Sequence, residues 1–204
     1  MSLDFSNFLD VQIATAWGRT LQDFADWCSP QPGWLVLDAG TGPGLLPALF
    51  SGMNCRAIGN DLNRDMFSGS SLHDSLCAAD TMHLPFPGEI FDQLTACNLL
   101  FLLADPPGAL QELARVTKTG GQLVTLNPSE KFNLQAAEQL TLKHNLEGTA
   151  RDSLLNWAAN AETHYRWSES QTEDLFRQAG LQLVESTLRV GPGFARYARG
   201  IKKE

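Results

Sequence analysis

Apolar residues in this chain follow two kinds of spacing, and their alternation predicts the architecture. Short runs of apolar or small residues occur at Leu35-Val36-Leu37-Asp38-Ala39, Cys55 to Asp61 and Phe91 to Asn98. Each has the length of a strand buried on both faces. Helical spacing separates them. Phe8, Ile13, Trp17, Leu21, Phe24 and Trp27 lie close to a 3.6-residue period across Asp4 to Ser29, and Pro30 and Pro32 stop it. Leu45 to Phe50 begins a second helix. Leu110, Leu113, Ala114 and Thr117 share one side of a third, from Pro106 to Thr117. Strands alternating with helices predict a mostly parallel sheet covered on both faces.

The second half changes character. Gln122 to Leu126 reads as a fifth strand, after the turn Thr117-Lys118-Thr119-Gly120-Gly121. Leu134, Ala137 and Leu140, then Leu154, Leu155, Trp157 and Ala158, predict two amphipathic helices around Gly148, within Phe132 to His164. Another helix spans Ser168 to Ala179, with Ser168 or Ser170 as cap and Gly180 as stop. Leu181 to Val190 and Phe194 to Lys202 read as strands joined by Gly191-Pro192-Gly193, an antiparallel hairpin. Repeats, low-complexity tracts and linkers are absent from the sequence, so one domain is expected over residues 1–204. Within it, 1–32 forms an N-terminal helical segment and 129–165 a helical insertion.

Candidate chemistry begins at Asp38-Ala39-Gly40-Thr41-Gly42-Pro43-Gly44. Three alternate glycines between a strand and a helix allow a sharp turn and close approach of a ligand to the main chain. The following helix N-terminus supplies unpaired N–H groups. The spacing is not that of a dinucleotide fingerprint, whose third glycine falls at position 45, which is Leu. Asp38 also ends the strand just before the turn, where a carboxylate repels a pyrophosphate and suits an ammonium. S-adenosylmethionine meets that requirement with an α-amino group, a sulfonium, a ribose and an adenine. Asp61 lies 21 residues beyond Gly40, where an acid can accept both ribose hydroxyl hydrogens. Dinucleotide folds share that spacing, and a helix-capping role is the alternative.

The acidic-x-Gly-x-Gly-x-Gly turn resembles that of class I S-adenosylmethionine-dependent methyltransferases, in their small-molecule, ubiquinone–menaquinone-pathway-like branch. Residues 33 to 128 and 166 to 202 carry the resemblance, including an Arg115-Val116-Thr117-Lys118-Thr119-Gly120-Gly121 turn that departs from the family at Thr117 and Thr119. It implies a Rossmann-like open α/β sheet of about seven strands, mostly parallel with a C-terminal antiparallel hairpin and helices on both faces. It also implies that Ala39, Gly40, Thr41, Gly42 and Gly44 cradle the cofactor, that Asp38 meets its amino group, and that Asp61 and Leu62 border its ribose. Asp80 would accept from the adenine amino group, with Thr81 and Met82 facing the ring. Asn98 and Leu99 would border the amino-acid end or the methyl acceptor, and Trp17 and Arg19 of the first helix could touch the methionine moiety. For Trp17 and Arg19 a core and a solvated role stand as alternatives, and for Asn98 a turn role.

Composition narrows the partners. A net charge of -8 argues against nucleic acid. Cys28, Cys55, Cys77 and Cys97 stand too far apart for a zinc motif or a dense disulfide framework, and no apolar run reaches the ~20 residues of a membrane span. With no basic region and apolar core at the start, a cytoplasmic protein with reduced thiols is expected. The sequence specifies neither an oligomer nor a metal site. Methyl transfer from a sulfonium requires an acceptor held in line and water kept out, so a base is optional. The family's frequent His after the fourth strand is replaced by Leu100 and Phe101; His144, His164 and Tyr165 are the remaining candidates, each with an ordinary surface role as its alternative. The acceptor is expected to be a small molecule with an apolar part, bound under the segment from Phe132 to His164, with Phe132, Leu134, Leu140, Leu142, Trp157 and Tyr165 as an apolar wall. S-adenosylhomocysteine would be the product. A non-catalytic S-adenosylmethionine-binding module stays open, and so does a nucleotide-dependent oxidoreductase, which Asp38 and Leu45 disfavour.

Overall fold

The buried run at Leu35–Ala39 becomes the central strand, β1, pairing in parallel with β2 (Arg56–Asp61) on one side and β4 (Phe91–Cys97) on the other. The computed structural model describes residues 15–203, apart from residue 69 and residues 71–74. β3 (Leu76–Ala78) and β5 (Thr117–Pro128) extend the parallel set, and β6 (Leu181–Arg189) and β7 (Ala195–Lys202) add the antiparallel hairpin. The order is β3-β2-β1-β4-β5-β7-β6. Strand order therefore reverses between β1 and β4, and the crevice beyond their carboxyl ends is where open α/β sheets bind ligands.

Among the described residues the α-helices are α1 (Ala16–Cys28), α2 (Leu45–Gly52), α3 (Pro106–Val116), α4 (Leu134–Lys143), α5 (Gly148–Thr163) and α6 (Glu169–Gln178). Successive side chains of β1 point to opposite faces. Val36 joins a core with Leu21, Phe24, Leu46 and Phe50 of α1 and α2, whereas Leu37 joins Leu110, Leu113, Leu175 and Phe176 of α3 and α6. A third cluster joins Phe132, Ala137, Ala158 and Ala161 to Phe101 and Phe194. It seats the helical insertion on the loops after β4 and before β7.

α1 is held from both ends of its face. Phe24 packs edge-on against Tyr197 with ring centroids 5.1 Å apart. At its C-terminus, Arg199 donates to the Cys28 carbonyl at 3.4 Å and stacks 4.8 Å from the Trp27 ring. A guanidinium there satisfies carbonyls the helix leaves unpaired and complements its dipole. The part of the expected helix before Thr15, including Phe8 and Ile13, lies outside the described residues.

One boundary differs from the sequence reading. β5 begins at Thr117 rather than Gln122, because Phe91 pairs with Thr117 while Gln93 pairs with Gln122. The expected turn at 118–121 is thus looped out of a single strand, with Gly120 at φ 76°. Periodicity could not reveal that the strand resumes on the far side of a bulge. Ser168 does cap α6, in a reciprocal capping box with Gln171.

Candidate active site

Gly40, Gly42 and Gly44 all take positive φ (67°, 56° and 89°), conformations that cost little only for glycine. A Cβ on Gly40 would also stand 2.7 Å from the Leu99 side chain, and one on Gly44 3.1 Å from Leu76. The turn is therefore closed over by Leu99 and leads directly into α2, whose N-terminus has no side-chain cap. Its first N–H groups stay available to a ligand.

Asp61 is locked to the turn. Its Oδ2 accepts from the Gly42 N–H at 2.9 Å and its Oδ1 from the Asn63 N–H at 2.9 Å. Each carboxylate oxygen retains a further lone pair, and the residue is half-buried, so the acid is aimed without being used up. The helix cap expected of it as an alternative falls instead to Asn63, whose side chain accepts from the Asp65 N–H. Leu62 beside it is 75% exposed. An apolar residue left open next to such an acid can cover one face of a flat base.

Asp80 accepts from the Met82 N–H at 2.9 Å through Oδ1, leaving Oδ2 3.7 Å from the largely exposed His83. The buried Thr81 receives the Asn60 side-chain amide at 3.2 Å, which also reaches the Ala79 carbonyl at 3.2 Å. Asn60 thereby pins the loop after β3 to the end of β2, and its own carbonyl accepts from the Thr41 N–H at 2.9 Å. Asn60, which the sequence reading passed over, joins the glycine turn to the Asp80 loop. Its signal was a fully buried amide one residue before an acid at a strand end.

Asp38 lies beneath the turn rather than beside open space. It is 2% exposed, and the Thr95 hydroxyl of β4 donates to its Oδ1 at 2.6 Å. Burial pushes its carboxyl up to about 7, further than the Thr95 hydrogen bond can lower it, and the Asp61 charge adds to the rise. Among the described residues no Lys, Arg or His lies within ion-pair distance of it. A direct contact with an ammonium needs this carboxylate to gain access; as it stands, its charge acts through the turn above.

Asn98 follows β4 in the left-handed region, at φ 57°. Its Oδ1 accepts from the Trp157 indole N–H at 2.7 Å, and Trp157 meets Trp17 edge-on with centroids 5.3 Å apart. The structure thus joins Trp17 of α1, Trp157 of α5 and Asn98 at the carboxyl end of β4. Trp157 was expected only as part of an apolar wall; its hydrogen bond depends on a contact 59 residues away. Arg19 is exposed, with no polar partner among the described residues.

The three candidate bases gain no contact with the turn. His144 ends α4 and is exposed, as is His164, whose Nδ1 lies 2.9 Å from the Asn160 carbonyl. Tyr165 is 42% exposed and stacks on Trp167 with centroids 5.6 Å apart. The expected apolar wall is also altered. Phe132 is fully buried between Trp157 and Phe194, and Leu142 is 77% exposed. Among the described residues no helix is long and apolar enough to cross a membrane.

The strand order, the acidic glycine turn and the acids after β2 and β3 resemble those of class I S-adenosylmethionine-dependent methyltransferase domains. Residues 37–125 match the methyltransferase domain family. Demethylmenaquinone methyltransferase of Corynebacterium kroppenstedtii is 33% identical over 112 residues, covering 54% of this chain and 48% of that protein. The chain spans about half the length of the first curated relatives it matches, 48% and 42%. In fold it is similar to a chain in the complex between the Haloferax volcanii Trm112 methyltransferase activator and the putative methyltransferase, with TM-score 0.74, 19% identity and coverage of 98% and 94%. Magnesium protoporphyrin IX methyltransferase of Synechocystis, solved with bound S-adenosylhomocysteine, has TM-score 0.65 and 15% identity, with coverage of 91% and 83%.

Proposed function

We propose that this chain transfers a methyl group from S-adenosylmethionine to a small-molecule acceptor by in-line displacement, mainly by positioning. The observation that carries the reading is Asp61 anchored to Gly42 at 2.9 Å, beside an uncapped helix N-terminus. That arrangement presents a diol acceptor and main-chain donors together, and the buried Asp38 beneath them disfavours a pyrophosphate. The residues fit the cofactor. Asp61 would take the ribose hydroxyls, Leu62 and Met82 the faces of the adenine, and Oδ2 of Asp80 its amino group. Leu99 and Trp17 would border the amino-acid end, and Asn98 would stand between it and the methyl acceptor. When bound, the cofactor supplies an electrophilic methyl carbon on a sulfonium. The protein's part is to orient the acceptor and exclude water, for which Leu99 and the Trp17–Trp157 pair provide the apolar cover.

Residues 1–204 act as one methyltransferase domain in this reading, with residues 15–32 and 129–165 flanking the crevice. The acceptor is a small molecule rather than nucleic acid, which the charge of -8 supports. Demethylmenaquinone, named for the Corynebacterium relative, marks one plausible chemical class. Among the described residues no base is positioned beside the turn, an arrangement that suits an acceptor already nucleophilic at working pH. Calorimetry with S-adenosylhomocysteine and with NAD tests the reading. Binding of the former at least about 100-fold tighter is expected, a gap of ~2.7 kcal/mol. Equal binding of both would count against it.

A further inference from the structure

The Trp157–Asn98 hydrogen bond fixes more than a helix position. An indole nitrogen can only donate, so the Asn98 atom 2.7 Å from it must be the carbonyl oxygen. An asparagine amide ordinarily offers two orientations that differ by exchange of O and N. Here the partner's chemistry selects one. The Nδ2 group points away from Trp157, and among the described residues it has no hydrogen-bond partner. Asn98 is half-buried, and the next residue, Leu99, covers Gly40. Two amide hydrogens are thus offered at the carboxyl end of β4, beside the glycine turn. Trp157 is itself braced, with Phe132 at 4.2 Å and Trp17 at 5.3 Å between centroids.

We propose that Trp157, by holding the Asn98 amide in this orientation, makes the acceptor site select molecules with a hydrogen-bond-accepting oxygen, of the phenol or enol class, over their amine counterparts. An aryl amine delocalises its single lone pair into the ring and accepts poorly from the Asn98 N–H groups, whereas a phenol oxygen keeps an in-plane lone pair for them. A donor covered by the bound molecule and left unpaired is a strong basis for rejecting an analogue. Asn98 touches the acceptor in this scheme, and Trp157 acts through Asn98 as a positioning residue. The inference rests on the methyltransferase reading above.

The test uses the full chain saturated with S-adenosylhomocysteine and two probes of equal shape, 1-naphthol and 1-naphthylamine, titrated by calorimetry. The unmodified protein should prefer the naphthol by at least about tenfold. Trp157→Phe keeps an aromatic ring and removes the donor, and with S-adenosylhomocysteine kept saturating the preference should shrink to within about twofold. NMR of the Asn98 side-chain amide in the unmodified protein gives a readout that no substitution can compromise: the naphthol should shift it and the naphthylamine should not. Equal affinity for both probes, binding of neither, or a preference that survives in Trp157→Phe overturns the proposal. Failure of S-adenosylhomocysteine to bind overturns instead the reading on which it rests.

Discussion

Thr95 donates its hydroxyl to Asp38 across the β1–β4 pairing, at 2.6 Å and out of contact with solvent. The carboxylate it meets has no cation within ion-pair distance among the described residues. Cys28 and Cys97 lie close enough for the carboxylate to help raise their thiols, which burial already pushes well up. Such a group is costly to ionise.

A pH dependence follows from that cost. The Asp38 carboxyl stands at about 7 in the fold, against its ordinary 3.8. A raised value favours the neutral form, so its contribution to stability is complete below about pH 4 and is lost as pH rises through 7. Asp38→Asn removes the ionisation. In ligand-free protein it should match the parent below about pH 4, gain on it steadily between about pH 4 and 7, and exceed it by up to ~4 kcal/mol by pH 8. Thermal unfolding of both proteins across that range checks this. A difference that does not grow with pH would show that Asp38 is ionised at no cost.

Asp61→Ala should act on binding and on stability together. It removes a proposed charged hydrogen bond to the cofactor, worth about 1.5–3 kcal/mol. It also leaves the Gly42 and Asn63 N–H groups without the carboxylate they now share. Affinity for S-adenosylhomocysteine should fall by roughly 10- to 150-fold, with a smaller loss of stability. Unchanged affinity in calorimetry would remove Asp61 from the ribose site.

Gly200→Ala probes the seat of α6. A Cβ there would stand 2.3 Å from the Phe176 ring, a core side chain with no accessible surface. Overpacking of this kind costs about 1–3 kcal/mol or more. Chemical denaturation should show that loss, with cofactor affinity unaltered because the residue lies on the face opposite α1 and α2. Tolerance of the alanine would mean that α6 is free to shift.

Arg199→Met should loosen α1 without touching the glycine turn. The guanidinium bridges the Cys28 carbonyl and Gln122 Oε1, at 3.4 and 3.1 Å. Loss of charged hydrogen bonds to a helix end should cost roughly 1.5–3 kcal/mol, offset in part by the methionine's packing. Hydrogen exchange should quicken first in the last turn of α1. Uniform change across the sheet would assign Arg199 to global stability instead.

Local signals made much of this protein legible in its sequence. The glycine turn, the strand-end acids Asp38 and Asp61, the Ser168 cap and the Gly191-Pro192-Gly193 hairpin are each fixed by neighbours a few residues away, through φ preference, capping or period. Apolar spacing also implied the helical pair around Gly148. What tertiary structure decided is how distant elements meet. Asp38 became a buried acid because β4 brings Thr95 over it, and Phe132 left the expected apolar wall because Phe194 and Trp157 enclose it. Asn98 acquired a defined amide orientation only when α5 delivered an indole N–H from 59 residues away. Side-chain period reports which face of an element is apolar. Which hydrogen-bonding atom meets which depends on the packing of whole helices against the sheet, and no window along the chain contains that information.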